Sequence, residues 1–312
     1  MRAAVRAALA ATLSLGLAGC GFMHPPAVPA DLAGSRAVAT LPARPLHYFG
    51  AYEGGVPSSY GPITKFGQTV GRQPNLAPYY SAWLAPFQAS FAAAARAHGA
   101  TPLIQINPND APIAAIASGR YDPYLRSYAE QVRNYQHPVI IGFGHEMNGP
   151  WFKWGWTHVP PRTFVAAWRH IVKVFRAAGA YNVTWLWTVN RNGDNTGPLR
   201  DYWPGASYVT WIGIDGYYEV SFDNFGNIFG PTIAKIRTFT KKPVLVSETA
   251  AGTTAGQAAK IPDMFAGLRK WQPLGFLWFD EFQKNGVHHQ NWQLDRTGPA
   301  LGEFRAGMKE FR

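Results

Sequence analysis

Thirteen residues, GHEMNGPWFKWGW (144–156), set one carboxylate, Glu146, among four large aromatic side chains. The run before it, PVIIGFGH (138–145), is short, apolar and rich in β-branched residues, which suits a strand buried on both faces. Glu146 therefore stands where a buried strand gives way to a loop. Glu248 ends a similar run in PVLVSETA (243–250), and the chain has only eight glutamates. Two carboxyls about 5–5.5 Å apart can cleave a glycosidic bond with retention of configuration. One attacks the anomeric carbon while the other donates a proton and later removes one. A gap of about 6.5–9.5 Å suits inversion instead. Sequence spacing does not fix the distance, and a strand-end glutamate can equally bond a neighbouring Arg or Lys. His145, Asn148, Trp151, Trp154 and Trp156 around Glu146 weigh toward chemistry. Asp215 (WIGIDGYY), Asp280 and Glu281 (LGFLWFDE) hold comparable strand-end positions and are rivals on position alone.

Other constellations are poorer. His288 and His289 could begin a metal site, but the sequence offers no third ligand, so no metal is expected. Ser247 lacks the glycine-flanked turn of a serine nucleophile, and no cofactor motif is present.

The carboxylates need elements to hold them. From residue 46 short apolar runs alternate with helical stretches through eight rounds. The expected strands are 46–52, 75–83, 101–108, 138–146, 183–190, 209–217, 243–250 and 274–281. The second is the weakest, because Pro78 would interrupt a central ladder. Helical patterns cover 82–99, 121–135, 161–179, 230–240 and 258–271. Such alternation implies parallel pairing through crossovers, and eight rounds in this length match a single (β/α)8 TIM barrel, an α/β fold. An open doubly wound sheet is disfavoured, since no glycine-rich phosphate fingerprint follows the first strand. In a closed barrel the fourth and seventh strands lie across the mouth from each other, so Glu146 and Glu248 can face one substrate.

Composition narrows the partners. The 312 residues include 12 Trp, and 14% are aromatic, a surplus that can line a groove for sugars. The net charge of +11 is spread along the chain without a basic run or nucleic-acid motif, so no nucleic-acid partner is expected. MRAAVRAALAATLSLGLAGC has two arginines, an apolar stretch and the chain's sole cysteine, the pattern of a secretory signal. Leu17-Ala18-Gly19-Cys20 is similar to the bacterial lipobox, which implies cleavage before Cys20 and lipid attachment to it. Residues 24–45 are rich in Pro and Ala and read as a tether. The expected organisation is thus signal peptide 1–19, lipidated Cys20 and tether 20–45, and catalytic domain 46–312. The expected protein is an exported monomer, either secreted or held at the bacterial envelope through Cys20.

HEMNGPWFKWG resembles the acid/base segment of glycoside hydrolase family 26, whose best-known members are β-mannanases. WIGIDGYY, VLVSET and GFLWFD resemble its later strands in the same order, and the likeness covers about residues 46–310. The resemblance implies Glu146 as acid/base and Glu248 as nucleophile. It implies that His145 flanks the acid and that Trp151 is an aromatic near the cleavage point. Tyr217 would hydrogen-bond the nucleophile, and Trp278 would be the ring under the sugar on the glycone side. Asn148 is a candidate substrate contact, although an Asn-Gly turn explains it equally well. The N-terminal third matches least. The expected activity is a retaining endo-β-glycosidase on β-1,4-mannan, without a cofactor. Alternatives are β-1,3-xylan, mixed-linkage β-glucan or an exopolysaccharide, or a glycan-binding lipoprotein without catalysis.

Overall fold

A computed structural model describes residues 40–283 and 290–311. Eight parallel strands close into a barrel in sequence order, β8 pairing back onto β1. The strands are β1 (Tyr48–Glu53), β2 (Leu76–Ala82), β3 (Thr101–Asn107), β4 (Val139–Phe143), β5 (Val183–Asn190), β6 (Trp211–Asp215), β7 (Val244–Thr249) and β8 (Gly275–Asp280). Around them run α1 (Gly61–Val70), α2 (Ala89–Ala97), α3 (Ile113–Ala117), α4 (Asp122–Tyr135), α5 (Pro161–Ala177), α6 (Phe225–Arg237), α7 (Gln257–Trp271) and α8 (Pro299–Glu310). A two-residue pairing, β9 (Phe282–Gln283) with β10 (Gln290–Asn291), follows β8.

The expected (β/α)8 barrel is the fold found, and β2 is a full member. It pairs with β3 along its length but meets β1 at one register position, Gly50 with Leu76. A proline is tolerated beside a seam that is already open. Helix α6 begins earlier than the apolar pattern implies, because Asn224 and Asn227 form a reciprocal cap ahead of it. The expected tether is also too long. The Leu41 N–H donates to Thr184 Oγ1, Tyr48 O–H donates to the Pro42 carbonyl, and Leu41 packs under the barrel.

Strand alternation sorts the barrel interior into layers, since every second side chain points inward. Tyr48, Leu76, Leu103, Ile140, Leu186, Trp211, Leu245 and Leu277, one from each strand, form an apolar floor. Two residues further along, the layer is small or polar: Gln105 Nε2 donates to Thr188 Oγ1 at 2.9 Å, beside Gly142, Gly213 and Ser247. A Cβ at Gly142 would lie 1.9 Å from Gln105 Oε1, so the crossing needs glycine. Two residues further still come Tyr52, Tyr80, Asn107, Asn190 and Asp215, joined by Phe279, two residues beyond Leu277 on β8. Most of this upper layer borders the cavity at the barrel mouth. The odd-phase residues of the same strands, such as Phe276 and Trp278, face outward onto α8 through Phe304.

At the β1–β8 seam Arg296 donates to Glu53 at 3.1 Å and to Asp280 at 2.6 Å, and Asp280 also accepts from the Leu294 N–H and Trp278 Nε1. Burial and the adjacent Asp280 push the Glu53 carboxyl up to about 9. Asp280 is thereby committed to structure, closing the barrel and anchoring the approach to α8.

Candidate active site

The C-terminal ends of the strands surround a cavity of roughly 1110 Å³ that contains Glu146 and Glu248. One oxygen from each of Glu146, Asp215 and Glu248 falls within 4.8 Å of the others. The two strand-end glutamates therefore meet across the mouth, at an approach of their oxygens closer to the spacing of double displacement than to that of inversion.

Local backbone explains their aim. Glu146 itself adopts φ 54, a left-handed conformation unusual for a residue with a side chain, two residues after Gly144 at the same φ. Its N–H donates to the Thr188 carbonyl at 3.0 Å, which pins the turn to β5. On the other side, the register of β7 against β6 shifts between Ile214 and Asp215, so Asp215 lies opposite Glu248. The bulge turns Glu248 into the cavity one residue after the inward-facing Ser247.

Each glutamate accepts from at least two side-chain donors. Glu146 Oε1 accepts from Asn190 Nδ2 at 2.6 Å, and Oε2 accepts from Trp151 Nε1 at 2.7 Å. Glu248 Oε2 accepts from the Tyr217 O–H at 2.6 Å, and Oε1 accepts from the Tyr80 O–H. Burial, then the Glu248 charge, keeps both phenols well above their usual range, so they remain donors. Beneath the pair, Asp215 is fully enclosed and accepts from Ser247 Oγ at 2.5 Å. Burial, then Glu248 and Glu146, push its carboxyl well above the usual carboxylate range. That shift favours its neutral form over a third negative charge beneath the pair. Although the three carboxyls could be spanned by a cation, Glu146 and Glu248 already accept from N–H and O–H donors, a setting for an organic substrate.

His145 lines the cavity, and its Nδ1 is 3.0 Å from Asn107 Oδ1, which requires the proton on Nδ1. Burial lowers it to about 3, so the ring is neutral at working pH. Trp151 borders the cavity, half in solvent, whereas Trp154 is buried and donates to the His145 carbonyl at 2.8 Å.

Two expected contacts lie elsewhere. Asn148 is buried and spans to Asn190, donating to its carbonyl at 3.0 Å and accepting from its N–H at 2.9 Å. Trp278 has no exposed surface; it points out of the barrel, edge-on to Phe304 of α8. The reason is alternation: Leu277 and Phe279 face inward, so the ring between them cannot. Phe279 is the β8 aromatic in the cavity, stacked on Tyr52 at 5.0 Å and met edge-on by Tyr217 at 6.0 Å. Of the rival carboxylates, Asp280 and Glu281 do not line the cavity. His288, His289 and Cys20 lie outside the described residues. Sequence reasoning missed Tyr80, Asn107, Asn190 and Phe279. Each ends or nearly ends a strand, the same signal that picked out Glu146.

The family model for Glycosyl hydrolase family 26 matches residues 120–285, more than half of the chain. The chain belongs to glycosyl hydrolase family 26. Endoglucanase H of Acetivibrio thermocellus is 27% identical over 277 residues, covering 83% of this chain and 30% of that protein. A mannan endo-1,4-beta-mannosidase of Bacillus subtilis (strain 168) is 24% identical over 184 residues, covering 54% of this chain and 48% of that protein. The chain thus spans under half the length of these curated relatives. Among solved structures, the catalytic domain of the Bacillus sp. JAMB-750 GH26 endo-beta-1,4-mannanase aligns with TM-score 0.63 at 15% identity, covering 84% of this chain and 85% of that one. At that identity the likeness is one of fold. The family match spans β4 through β8, and so both Glu146 and Glu248.

Proposed function

We propose that this protein is a retaining endo-β-glycosidase that hydrolyses a neutral β-linked polysaccharide, with β-1,4-mannan as its substrate. The observation that carries this reading is the approach of Glu146 and Glu248 to within 4.8 Å inside the cavity. In the first step a Glu248 oxygen attacks the anomeric carbon as the glycosidic C–O bond breaks, and Glu146 gives its proton to the departing oxygen. In the second, Glu146 takes a proton from water, the water oxygen attacks the same carbon, and Glu248 leaves. Tyr80 and Tyr217 orient the nucleophile, and Trp151 and Asn190 orient the acid. His145, being neutral, serves as an oriented polar wall and not as a charge.

The cavity also supports a neutral substrate. Its walls carry Glu146, Asp194, Glu219 and Glu248 against a single cation among the described residues, Arg191, which pairs with Glu219 at 3.3 Å. The overall charge of +11 is therefore not focused on the site, and an acidic exopolysaccharide is disfavoured. A purely binding role is disfavoured too, because sugar recognition alone needs no second buried carboxylate. Mixed-linkage β-glucan is the second reading, favoured by the endoglucanase that aligns with 83% of this chain. A panel of soluble and insoluble β-glycans, with released oligosaccharides resolved by chromatography, tests both. Internal cleavage of mannan supports the first, cleavage of β-glucan alone supports the second, and no cleavage of any β-glycan removes both.

The proposal extends to location. The Leu17-Ala18-Gly19-Cys20 pattern supports export and lipid anchoring of a monomer at the bacterial envelope. A single acyl chain binds membranes marginally, whereas several make a lasting anchor. Cys20→Ser should release the protein from the membrane fraction or block its processing. A wild-type protein that is already soluble and unlipidated would contradict the anchor.

A further inference from the structure

The ladder between β4 and β5 ends with Ile141 opposite Trp185, although β5 runs on to Asn190. Beyond that point the β5 backbone needs other partners on the β4 side. Two come from the chain that follows β4: the Glu146 N–H bonds the Thr188 carbonyl, and the Asn148 side chain bonds both the N–H and the carbonyl of Asn190. The primary amide thus imitates a strand residue. Asn148 has no exposed surface, and its own carbonyl accepts from the Gly197 N–H at 2.7 Å, so the device is locked from both sides.

The product of this arrangement is the placement of one group, Asn190 Nδ2, at 2.6 Å from Glu146 Oε1. We propose that Asn190, held in place by Asn148, is a positioning residue for the acid/base of this site, a role resting on the function proposed above. Trp151 Nε1 takes the other oxygen. Both contacts come from N–H groups, which donate but cannot accept a proton. The acid proton therefore has no sink on either supporting side chain and passes to the glycosidic oxygen. When Glu146 returns as a carboxylate base, the same two donors stabilise its charge. Asp215 on β6 and Glu248 on β7, both carboxyls, also approach it, with neutral His145 beside it, and Asn190 and Trp151 each donate to one of its oxygens.

The test compares kcat/KM on a polymeric β-mannan and on a 2,4-dinitrophenyl β-mannoside, whose leaving group needs no proton. Asn190→Ala should lose roughly 10- to 100-fold on the polymer and less than about 3-fold on the aryl substrate. The alkaline limb of its polymer profile should move to higher pH, because a donor favouring the charged acid is gone. Asn190→Asp keeps the shape, serves if the alanine variant is poorly folded, and should move the limb further. Asn148→Ala combined with Asn190→Ala should cost no more on the polymer than Asn190→Ala alone. Equal losses on both substrates, an unmoved limb, or additive losses in the double variant overturn the role of Asn190. A wild type inert on both substrates, and on β-glucan, instead overturns the proposed function and any catalytic role for Asn190 with it.

Discussion

The two carboxyls proposed as catalytic are held by different kinds of partner. Glu248, on a bulge of β7, is gripped by two phenols, Tyr80 from β2 and Tyr217 after β6. Glu146, on a left-handed turn after β4, is gripped by an indole and an amide. The difference suits the role proposed for each. A nucleophile is charged in the free enzyme and loses its charge on becoming an ester, so hydroxyls that stay protonated can favour its anion and then turn away. An acid/base must release and regain a proton each cycle, so its neighbours must hold it without competing for that proton. N–H groups satisfy this, and hydroxyl or imidazole groups do not.

The largest effects should come from removing the carboxyls. Glu248→Ala should lower turnover on every substrate by about 10⁴-fold or more. Glu146→Ala should lose roughly 10²- to 10⁴-fold on polymer, yet still form its glycosyl-enzyme from an aryl glycoside. Initial rates on the two substrate types check this. Next come the phenols. Tyr217→Phe and Tyr80→Phe each remove a hydrogen bond to a charged group, about 1.5–3 kcal/mol, or roughly 10- to 100-fold in kcat/KM. Both should be impaired equally on polymer and on aryl glycoside, unlike variants around Glu146. A leaving-group dependence in the tyrosine variants would erase the contrast between the two grips.

Two aromatic neighbours on β8 should separate stability from binding. Trp278→Ala should cost about 3–5 kcal/mol of folding stability by denaturant titration, since the ring is wholly buried under α8. Substrate affinity of the folded fraction should be unchanged. Phe279→Ala should raise KM on polymer, because that ring lines the cavity.

The effect that is smallest near neutral pH, and grows only on acidification, concerns His145. Burial lowers its folded value from 6.5 to about 3, so between these limits the unfolded chain binds the extra proton. Stability should therefore fall as pH drops through 6.5, by up to about 1.4 kcal/mol per unit while the difference persists. His145→Gln should flatten that part of the Tm profile, and an unaltered slope would assign the acid sensitivity to other groups.

The barrel was legible in the sequence because eight apolar runs and the helical patterns between them repeat one physical solution. Glu146 and Glu248 were legible because a carboxylate ending a buried strand stands out. What the sequence obscured was phase. Trp278 and Phe279 are adjacent aromatics on one strand, and only the pleat decides which enters the cavity. Tyr80 was hidden by Pro78, which argues against a strand unless the seam beside it is known to be open. Asn148 looked like a turn residue or a sugar contact. Its bond to the β5 backbone depends on where the β4 ladder stops, which no local pattern reveals.

The assignment of the two glutamates is tested most directly by azide rescue, with the configuration of the glycosyl azide read by NMR. Glu146→Ala keeps its nucleophile, so azide should intercept the glycosyl-enzyme and give the β-azide, with retained configuration. Glu248→Ala leaves a gap where the nucleophile stood, and azide entering there should give the α-azide, with inverted configuration. The same configuration from both variants, or the two exchanged, would contradict the assignment.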